Sequence, residues 1–422
     1  MPRALIPTAL AAVLALTAAA PALAAPGYVP GEVLVKYKDV RTATAQAPVQ
    51  SETVRVRSGT TVRQTVEKLR KDPDVAYAVP NYIARASLTP NDPNFGLQWN
   101  LNSAFGINAP TAWDIARASG ISGGKGVTIA VLDTGVAYER FRRFRRAPDL
   151  RRFVRGYDFV DGDRHPNDLN GHGTHVSGTI AGSTGNGVAT AGIAYRAKIM
   201  PVRVLDADGA GDTLSISRGI RFAARRGAKM INLSLEFDSS VRASQIPDIV
   251  SALRYARRKG SLVVAAAGNQ ADTLVAYPAR AKGVVAVAAT TIRGCQADYS
   301  NSGVDVDLTA PGGGVDAVIS DPQDPYSLQV CNPNAAGNFI FQQTFTSSVR
   351  RFGLPRGYEG TSMAAPHVSG AAALVIASRR LGPKPPPALL ERHLEATSRD
   401  IGRPGFDPRY GFGLLDAAAA LR

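Results

Sequence analysis

Val127-Thr128-Ile129-Ala130-Val131-Leu132 is a nearly unbroken apolar run, and Asp133 follows it directly. Strands that are apolar along their whole length are typical of a sheet that is covered on both faces. Four similar short runs occur downstream, at residues 199–205, 230–235, 262–267 and 284–289. The chain therefore contains at least five candidates for buried strands of one sheet.

Between these runs, residues 214–226 and 246–259 have apolar residues at helical spacing. Buried strands that alternate with amphipathic helices predict an α/β fold, with a mostly parallel central sheet and helices on both faces. In such sheets, ligands bind at the carboxyl ends of the strands. Asp133 and Asn269 each lie just beyond an apolar run, so both are expected at that edge.

Three short segments supply a carboxylate, an imidazole and a hydroxyl, in the order Asp, His, Ser. They are Asp133-Thr134-Gly135, Gly171-His172-Gly173-Thr174-His175 and Gly360-Thr361-Ser362-Met363-Ala364-Ala365-Pro366. This is one known linear order of the nucleophilic triad, and it differs from the orders in chymotrypsin-like enzymes and α/β-hydrolases. A fourth segment, Ala265-Ala266-Ala267-Gly268-Asn269, contains an amide that can donate to an oxyanion.

With these four segments, the chain resembles the subtilisin-like serine proteases (subtilases) over about residues 98–415. The resemblance implies a subtilisin-like three-layer fold and peptide-bond hydrolysis through an acyl-enzyme, with no cofactor needed for the chemistry. It assigns Ser362 as the nucleophile and His172 as its base. It assigns Asp133 as the acceptor of the imidazole proton and Asn269 as the oxyanion donor.

Each of these residues also has a simpler interpretation when it is taken singly. Ser362 precedes a helical run and could be a helix cap, and Asp133 and Asn269 could be turn residues. His175 is interpreted as structural, and a metal site that it shares with His172 is the alternative. The four segments together favour the catalytic interpretation.

The resemblance also implies a specificity pocket with small walls, which leave room for a large apolar side chain. Its residues are Ser234, Ala266, Ala267, Gly268 and Ala276. Glu236, which is counted among the substrate-binding residues, stands where the family usually has Gly. A carboxylate at this position could favour Arg or Lys in the substrate.

A structural Ca²⁺ is the one cofactor that the resemblance suggests. Gln98, Asp149 and Asn186 lie where relatives often supply the ligands, and amide, carboxylate and carbonyl oxygens suit this ion. The loop lengths differ from those of relatives, so the alternative of a loop without metal stays open.

Residues 1–24 have the pattern of a secretory signal. Arg3 precedes an apolar run at residues 9–20, and Ala22-Leu23-Ala24 fits the small-x-small cleavage rule. No later stretch approaches the roughly 18 uninterrupted apolar residues that a membrane span needs. We expect a secreted protein, extracellular or periplasmic, without a transmembrane anchor.

Residues 25–88 resemble the inhibitory propeptides that precede subtilase catalytic domains. Residues 32–37 alternate like a half-buried strand, residues 62–69 have helical spacing, and a second strand from residue 74 is expected to stop at Pro80. Residues 87–94 have linker composition, which places the processing junction near residues 86–89. Residues 89–422 are then the catalytic domain, and the propeptide its intramolecular inhibitor.

Cys295 and Cys331 are the two cysteines of the chain, and in an exported protein such a pair predicts a disulfide. The alternative is two buried thiols, and no zinc-ligand spacing is present.

The net charge is +15, and residues 140–155 hold eight arginines. A solvated loop, docking to an anionic surface and a site of self-cleavage are the three interpretations of this segment.

The leading functional hypothesis is a secreted serine endopeptidase that is made as a self-processing zymogen. The alternatives are a narrow-specificity processing protease that cleaves after basic residues, and a non-catalytic binding protein on a protease scaffold. The expected partners are protein or peptide substrates and the chain's own propeptide. Sequence-specific nucleic-acid binding is not expected. The protein is expected to be a monomer.

Overall fold

The structure is a computed structural model that describes residues 28–38, 51–82, 89–121, 123–318 and 330–422. The predicted signal (residues 1–24) and most of the predicted processing junction lie outside the described residues. The chain forms two compact units whose boundary falls at residues 83–84. Among the described residues, no helix combines the length and the apolar character that crossing a membrane requires.

The first unit is a three-stranded antiparallel sheet with one helix. Its elements are β1 (Tyr28–Tyr37), β2 (Glu52–Arg55), α1 (Val62–Leu69) and β3 (Val75–Tyr82), and the strand order is β2-β1-β3. Helix α1 begins at a capping box formed by Thr61 and Gln64. The expectation that Pro80 stops β3 is wrong. The strand continues to Tyr82 because β3 is an edge strand, where a missing N–H is tolerated.

The second unit contains a seven-stranded sheet in which every strand pair is parallel. Its strands are β4 (Thr128–Asp133), β5 (Tyr157–Asp158), β6 (Lys198–Arg203), β7 (Met230–Leu233), β8 (Leu262–Ala266), β9 (Val284–Thr290) and β10 (Leu308–Pro311). The spatial order is β10-β9-β8-β7-β4-β6-β5, with β4 between β6 and β7. A separate hairpin is formed by β11 (Thr344–Ser348) and β12 (Arg351–Gly353).

Helices cover both faces of this sheet. They are α2 (Trp99–Asn102), α3 (Ala109–Ala118), α4 (His172–Ala181), α5 (Thr213–Arg225), α6 (Pro247–Arg258), α7 (Thr361–Ser378) and α8 (Pro387–Ala396). Along β4, Ile129 and Val131 belong to the core that contains α4 and α7, whereas Ala130 and Leu132 belong to the core under α5 and α6. Both sides of β4 are therefore buried, which explains its unbroken apolar run and confirms the predicted α/β class.

Cys295 and Cys331 form a disulfide with a Cα–Cα distance of 5.7 Å, so the alternative of two buried thiols is wrong.

The arginine-rich segment at residues 140–155 follows β4, and all eight of its arginines are exposed. None of the eight forms an ion pair with a carboxylate in the described part of the chain. Two of them, Arg142 and Arg143, instead lie over the rings of Phe141 and Phe144.

Candidate active site

Asp133 and His172 form a hydrogen-bonded pair at the carboxyl end of the central strand. Asp133 is the last residue of β4 and is fully buried, and its Oδ1 lies 2.7 Å from Nδ1 of His172. His172 is the first residue of α4, and its side chain is 24% exposed. With Nδ1 donating to the carboxylate, Nε2 is left as an acceptor.

Two opposing effects set the basicity of this imidazole. Burial lowers the pKa of His172, but the charge of Asp133 and its hydrogen bond raise that pKa by more, so the net shift is upward. A buried carboxylate that accepts from an imidazole in this way stabilises the imidazolium form.

Asp168, which the sequence did not single out, holds the two segments of this pair together. Its Oδ1 accepts from Thr134 Oγ1 at 2.9 Å and from the N–H of Gly171 at 2.8 Å. Its Oδ2 accepts from the N–H of Thr174 at 2.9 Å and from the Thr174 hydroxyl at 2.6 Å. Burial raises the pKa of Asp168. The one sequence signal for this role is an Asp shortly before a helix start, where carboxylates commonly accept from backbone N–H groups.

Ser362 lies in the first turn of α7, as predicted, and is joined to Ser234 by two reciprocal hydrogen bonds. Its Oγ donates to the carbonyl of Ser234 at 3.2 Å, and Oγ of Ser234 donates to the carbonyl of Ser362 at 2.7 Å. That carbonyl is free to accept because Pro366, four residues later, has no N–H. The proline inside the helix thus helps to fix the serine.

Asn269 is oriented by contacts at both ends of its amide. Its Oδ1 accepts from the N–H of Thr361 at 2.8 Å and from the Thr361 hydroxyl at 2.9 Å. Its Nδ2 donates to Oε2 of Glu236 at 3.0 Å, and its main-chain N–H donates to Oε1 of the same carboxylate at 3.1 Å. These four hydrogen bonds give the amide a defined direction beside Ser362. Burial raises the pKa of Glu236.

A cleft of about 580 Å³ lies over these residues. The predicted site residues that line it are His172, Ser234, Glu236, Asn269 and Ser362. The other predicted pocket residues, Ala266, Ala267, Gly268 and Ala276, are buried and do not line this cavity.

His175 is buried below the site and is bonded through Nε2 to the carbonyl of Ile340 at 2.9 Å. Its ring stacks on Tyr358 with a centroid distance of 4.2 Å. Burial lowers the pKa of His175 to about 3, so the ring is neutral and has a structural position.

The residues predicted for calcium gather around residues 185–191. Oδ1 of Asp149 accepts from Nδ2 of Asn186 at 2.7 Å, and Gln98 bonds to both main-chain groups of Ala191. Asp92, in the segment with linker composition, joins this group, because its Oδ2 accepts from the N–H of Gly185 at 2.7 Å; the sequence pattern does not predict this contact. Burial raises the pKa of Asp149 to about 6.

A serine and a carboxylate-bound imidazole in one cleft, at the carboxyl ends of parallel strands, are the arrangement of a serine hydrolase. The sequence profile of the subtilase family matches residues 124–413, and the chain belongs to this family of serine endopeptidases.

Sequence and structural similarity to known serine proteases supports this family assignment. The chain is 35% identical over 400 residues to a thermophilic serine proteinase of Bacillus sp. (strain AK1). The alignment covers 91% of this chain and 86% of that relative. It is 38% identical over 296 residues to thermitase of Thermoactinomyces vulgaris. That alignment covers 69% of this chain and 87% of thermitase. A solved protease from Pseudoalteromonas arctica PAMC 21717 matches with a TM-score of 0.64 and 34% identity, over 79% of this chain and 99% of that one.

Proposed function

We propose that this subtilase hydrolyses peptide bonds with Ser362 as the nucleophile, His172 as the general base and Asp133 as the group that orients the imidazole. The observation that supports the proposal best is the 2.7 Å contact between Asp133 and Nδ1 of His172, in the cleft that also exposes Ser362. This contact leaves Nε2 to accept the serine proton.

In the acylation step, Oγ of Ser362 turns from the carbonyl of Ser234 and attacks the substrate carbonyl carbon, while its proton passes to Nε2 of His172. The tetrahedral intermediate collapses when the C–N bond breaks and His172 returns the proton to the leaving amine. A water molecule then repeats the sequence on the acyl ester, with His172 again as base, and releases the carboxylic acid and free Ser362.

The negative oxygen of the intermediate is stabilised by two N–H donors in this proposal. One is the main-chain N–H of Ser362, which lies in the first turn of α7, where an N–H has no acceptor within the helix. The other is Nδ2 of Asn269. One of its two N–H bonds is directed to Glu236, so the second is available to the oxyanion.

The first unit is proposed to be an inhibitory propeptide, and the protein a secreted zymogen that cleaves itself near residues 86–89. Support comes from the separate β2-β1-β3 sheet with its own small core, and from the signal-like pattern of residues 1–24 that precedes it.

A structural Ca²⁺ is proposed at Gln98, Asp149 and Asn186, with Asp92 as a further carboxylate. The donor set fits this ion because Ca²⁺ prefers carboxylate and amide oxygens, and both carboxylates contact the same loop, Asp149 at Asn186 and Asp92 at the N–H of Gly185. Asp92 and Asp149 are 4% and 1% exposed, and neither forms an ion pair with a cationic side chain of the described residues. A bound Ca²⁺ would supply the missing positive charge and tie the residue 185–191 loop to the core.

The proposal is tested with a serine-reactive phosphonate probe and with Ser362→Ala. The mature wild type should be labelled at Ser362, whereas Ser362→Ala should stay unlabelled and unprocessed. Ser119→Ala, at an exposed helix-end serine, is the matched control and should mature normally. A folded mature protein that resists the probe would support the non-catalytic binding protein, and normal processing of Ser362→Ala in a protease-free host would exclude self-maturation.

A further inference from the structure

The substrate cleft is acidic, although the chain as a whole carries a net charge of +15. Three carboxylates line the cavity beside Ser362, and no Lys or Arg is among its described lining residues. They are Asp208, Glu236 and Asp238. A cleft whose charge is opposite to that of the whole molecule is not explained by general solubility.

Glu236 is the carboxylate that contacts the proposed oxyanion donor. Both of its oxygens accept from Asn269, the proposed oxyanion donor. These donors are neutral amides, so they fix the position of the charge without neutralising it. The charge of Glu236 therefore lies next to the scissile bond of any peptide whose carbonyl oxygen reaches Asn269.

Asp208 and Asp238 add charge from two different loops, one after β6 and one after β7. Asp238 accepts from the N–H of Ser240 at 2.9 Å and from its hydroxyl at 2.5 Å, and these hydrogen bonds lower the pKa of Asp238. Asp208 is exposed and forms no ion pair with a described cationic side chain. Both side chains are thus available to a cation in the cleft.

We infer that Glu236, with Asp208 and Asp238, selects peptide substrates that carry Lys or Arg beside the scissile bond. The inference rests on the proposed function of the same site. A substrate cation supplies the counter-charge that the cleft lacks, and it offsets the repulsion between the Glu236 carboxylate and the developing oxyanion. An apolar side chain can do neither, so the preference arises in the transition state as well as in binding.

The sequence of the junction between the two units agrees with this preference. Arg85 is the one basic residue between Lys71 and Arg117, and it lies directly before the predicted processing region at residues 86–89. If self-processing follows the same rule, the mature protein begins at Ala86. Arg85→Gln should then slow or displace maturation, which N-terminal sequencing would detect.

The test uses mature enzyme and two peptides that differ at one position, with Lys or norleucine immediately before the scissile bond. We expect kcat/KM to be about tenfold or more higher for the Lys peptide, which corresponds to one charge pair in a partly exposed cleft. The ratio should fall towards one in Glu236→Gln and should fall in part in Asp238→Asn. Asp305→Asn, at an exposed carboxylate outside the cleft, is the matched control and should keep the wild-type ratio.

Equal kcat/KM values for the two peptides in the wild type would overturn the inference, and so would a ratio that survives both Glu236→Gln and an Asp208→Asn, Asp238→Asn double variant. The double variant decides the matter if Glu236→Gln does not fold. Failure of the proposed function itself would look different, because neither peptide would be cleaved and the phosphonate probe would not label Ser362. Weakening of the preference at 1 M NaCl would support its electrostatic origin.

Discussion

Asp133→Asn removes the charge behind the proposed base while nearly preserving the volume of the buried side chain. In the wild type, Asp133 is fully buried and its Oδ1 is 2.7 Å from Nδ1 of His172. Two unit charges about 4 Å apart interact by about 4 kcal/mol at an effective dielectric constant of about 20. If the imidazolium of the transition state loses that stabilisation, kcat should fall roughly a thousandfold, at about 1.4 kcal/mol per factor of ten.

The same substitution should change the pH dependence of the remaining activity. Burial lowers the pKa of His172, whereas the charge and hydrogen bond of Asp133 raise it and dominate in the wild type. A general base must be neutral, so wild-type activity rises as the pH increases through this raised pKa. In Asp133→Asn the lowering of the His172 pKa by burial remains, and the weaker contribution of the Asp168 charge still opposes it. The acid limb should therefore move to lower pH.

The assay is kcat against pH from 4 to 9 on a neutral peptide, with Asp305→Asn as a control that keeps the charge change but lies away from the site. A circular-dichroism melt would show that the variant is folded. An acid limb that stays at the wild-type pH, or a loss of kcat below about tenfold, would refute the role given to Asp133.

The remaining predictions concern the oxyanion donor, the disulfide, calcium and the basic segment. Asn269→Ala should lower kcat by about 10²–10³ with little change in KM, as loss of one oxyanion donor does in subtilisin, and steady-state kinetics would measure this. Replacing Cys295 and Cys331 by Ser should lower the free energy of unfolding by up to about 4 kcal/mol, because the bridge joins residues 36 apart in the sequence. Denaturant titration checks this value, and kcat should hardly change. EDTA should lower the melting temperature of the wild type more than that of Asp149→Asn, and equal shifts would argue against the proposed calcium site. Gln in place of the four arginines at residues 141–146 should weaken retention on heparin. If the wild type is nicked in this segment and the Gln variant is not, the segment is a site of self-cleavage. If heparin retention is unchanged and neither protein is nicked, the segment is a solvated loop.

Much of the fold could be predicted because burial leaves a local signal in the sequence. The apolar runs located β4, β6, β7, β8 and β9 to within two residues of their ends, and the helical spacing located α5 and α6 equally well. No sequence pattern predicts the short strands β2, β5 and β10 or the hairpin β11–β12, because segments of two to five residues carry too little periodicity. The order of the sheet was also beyond prediction, since β4 lies between strands that come later in the chain.

The order of residues along the chain specifies which chemical groups are present and how they follow one another. Asp, His and Ser stand in motifs that resemble one family, and each motif is positioned by a local rule: the end of a buried strand or the first turn of a helix. How these groups meet depends on the three-dimensional fold. Asp168 bridges two of the motifs, Ser234 binds the nucleophile segment from 128 residues away, and Glu236 reaches Asn269 across 33 residues. Such contacts depend on which strands become neighbours in the sheet, and that choice is made by the packing of the whole core rather than by any local stretch of chain.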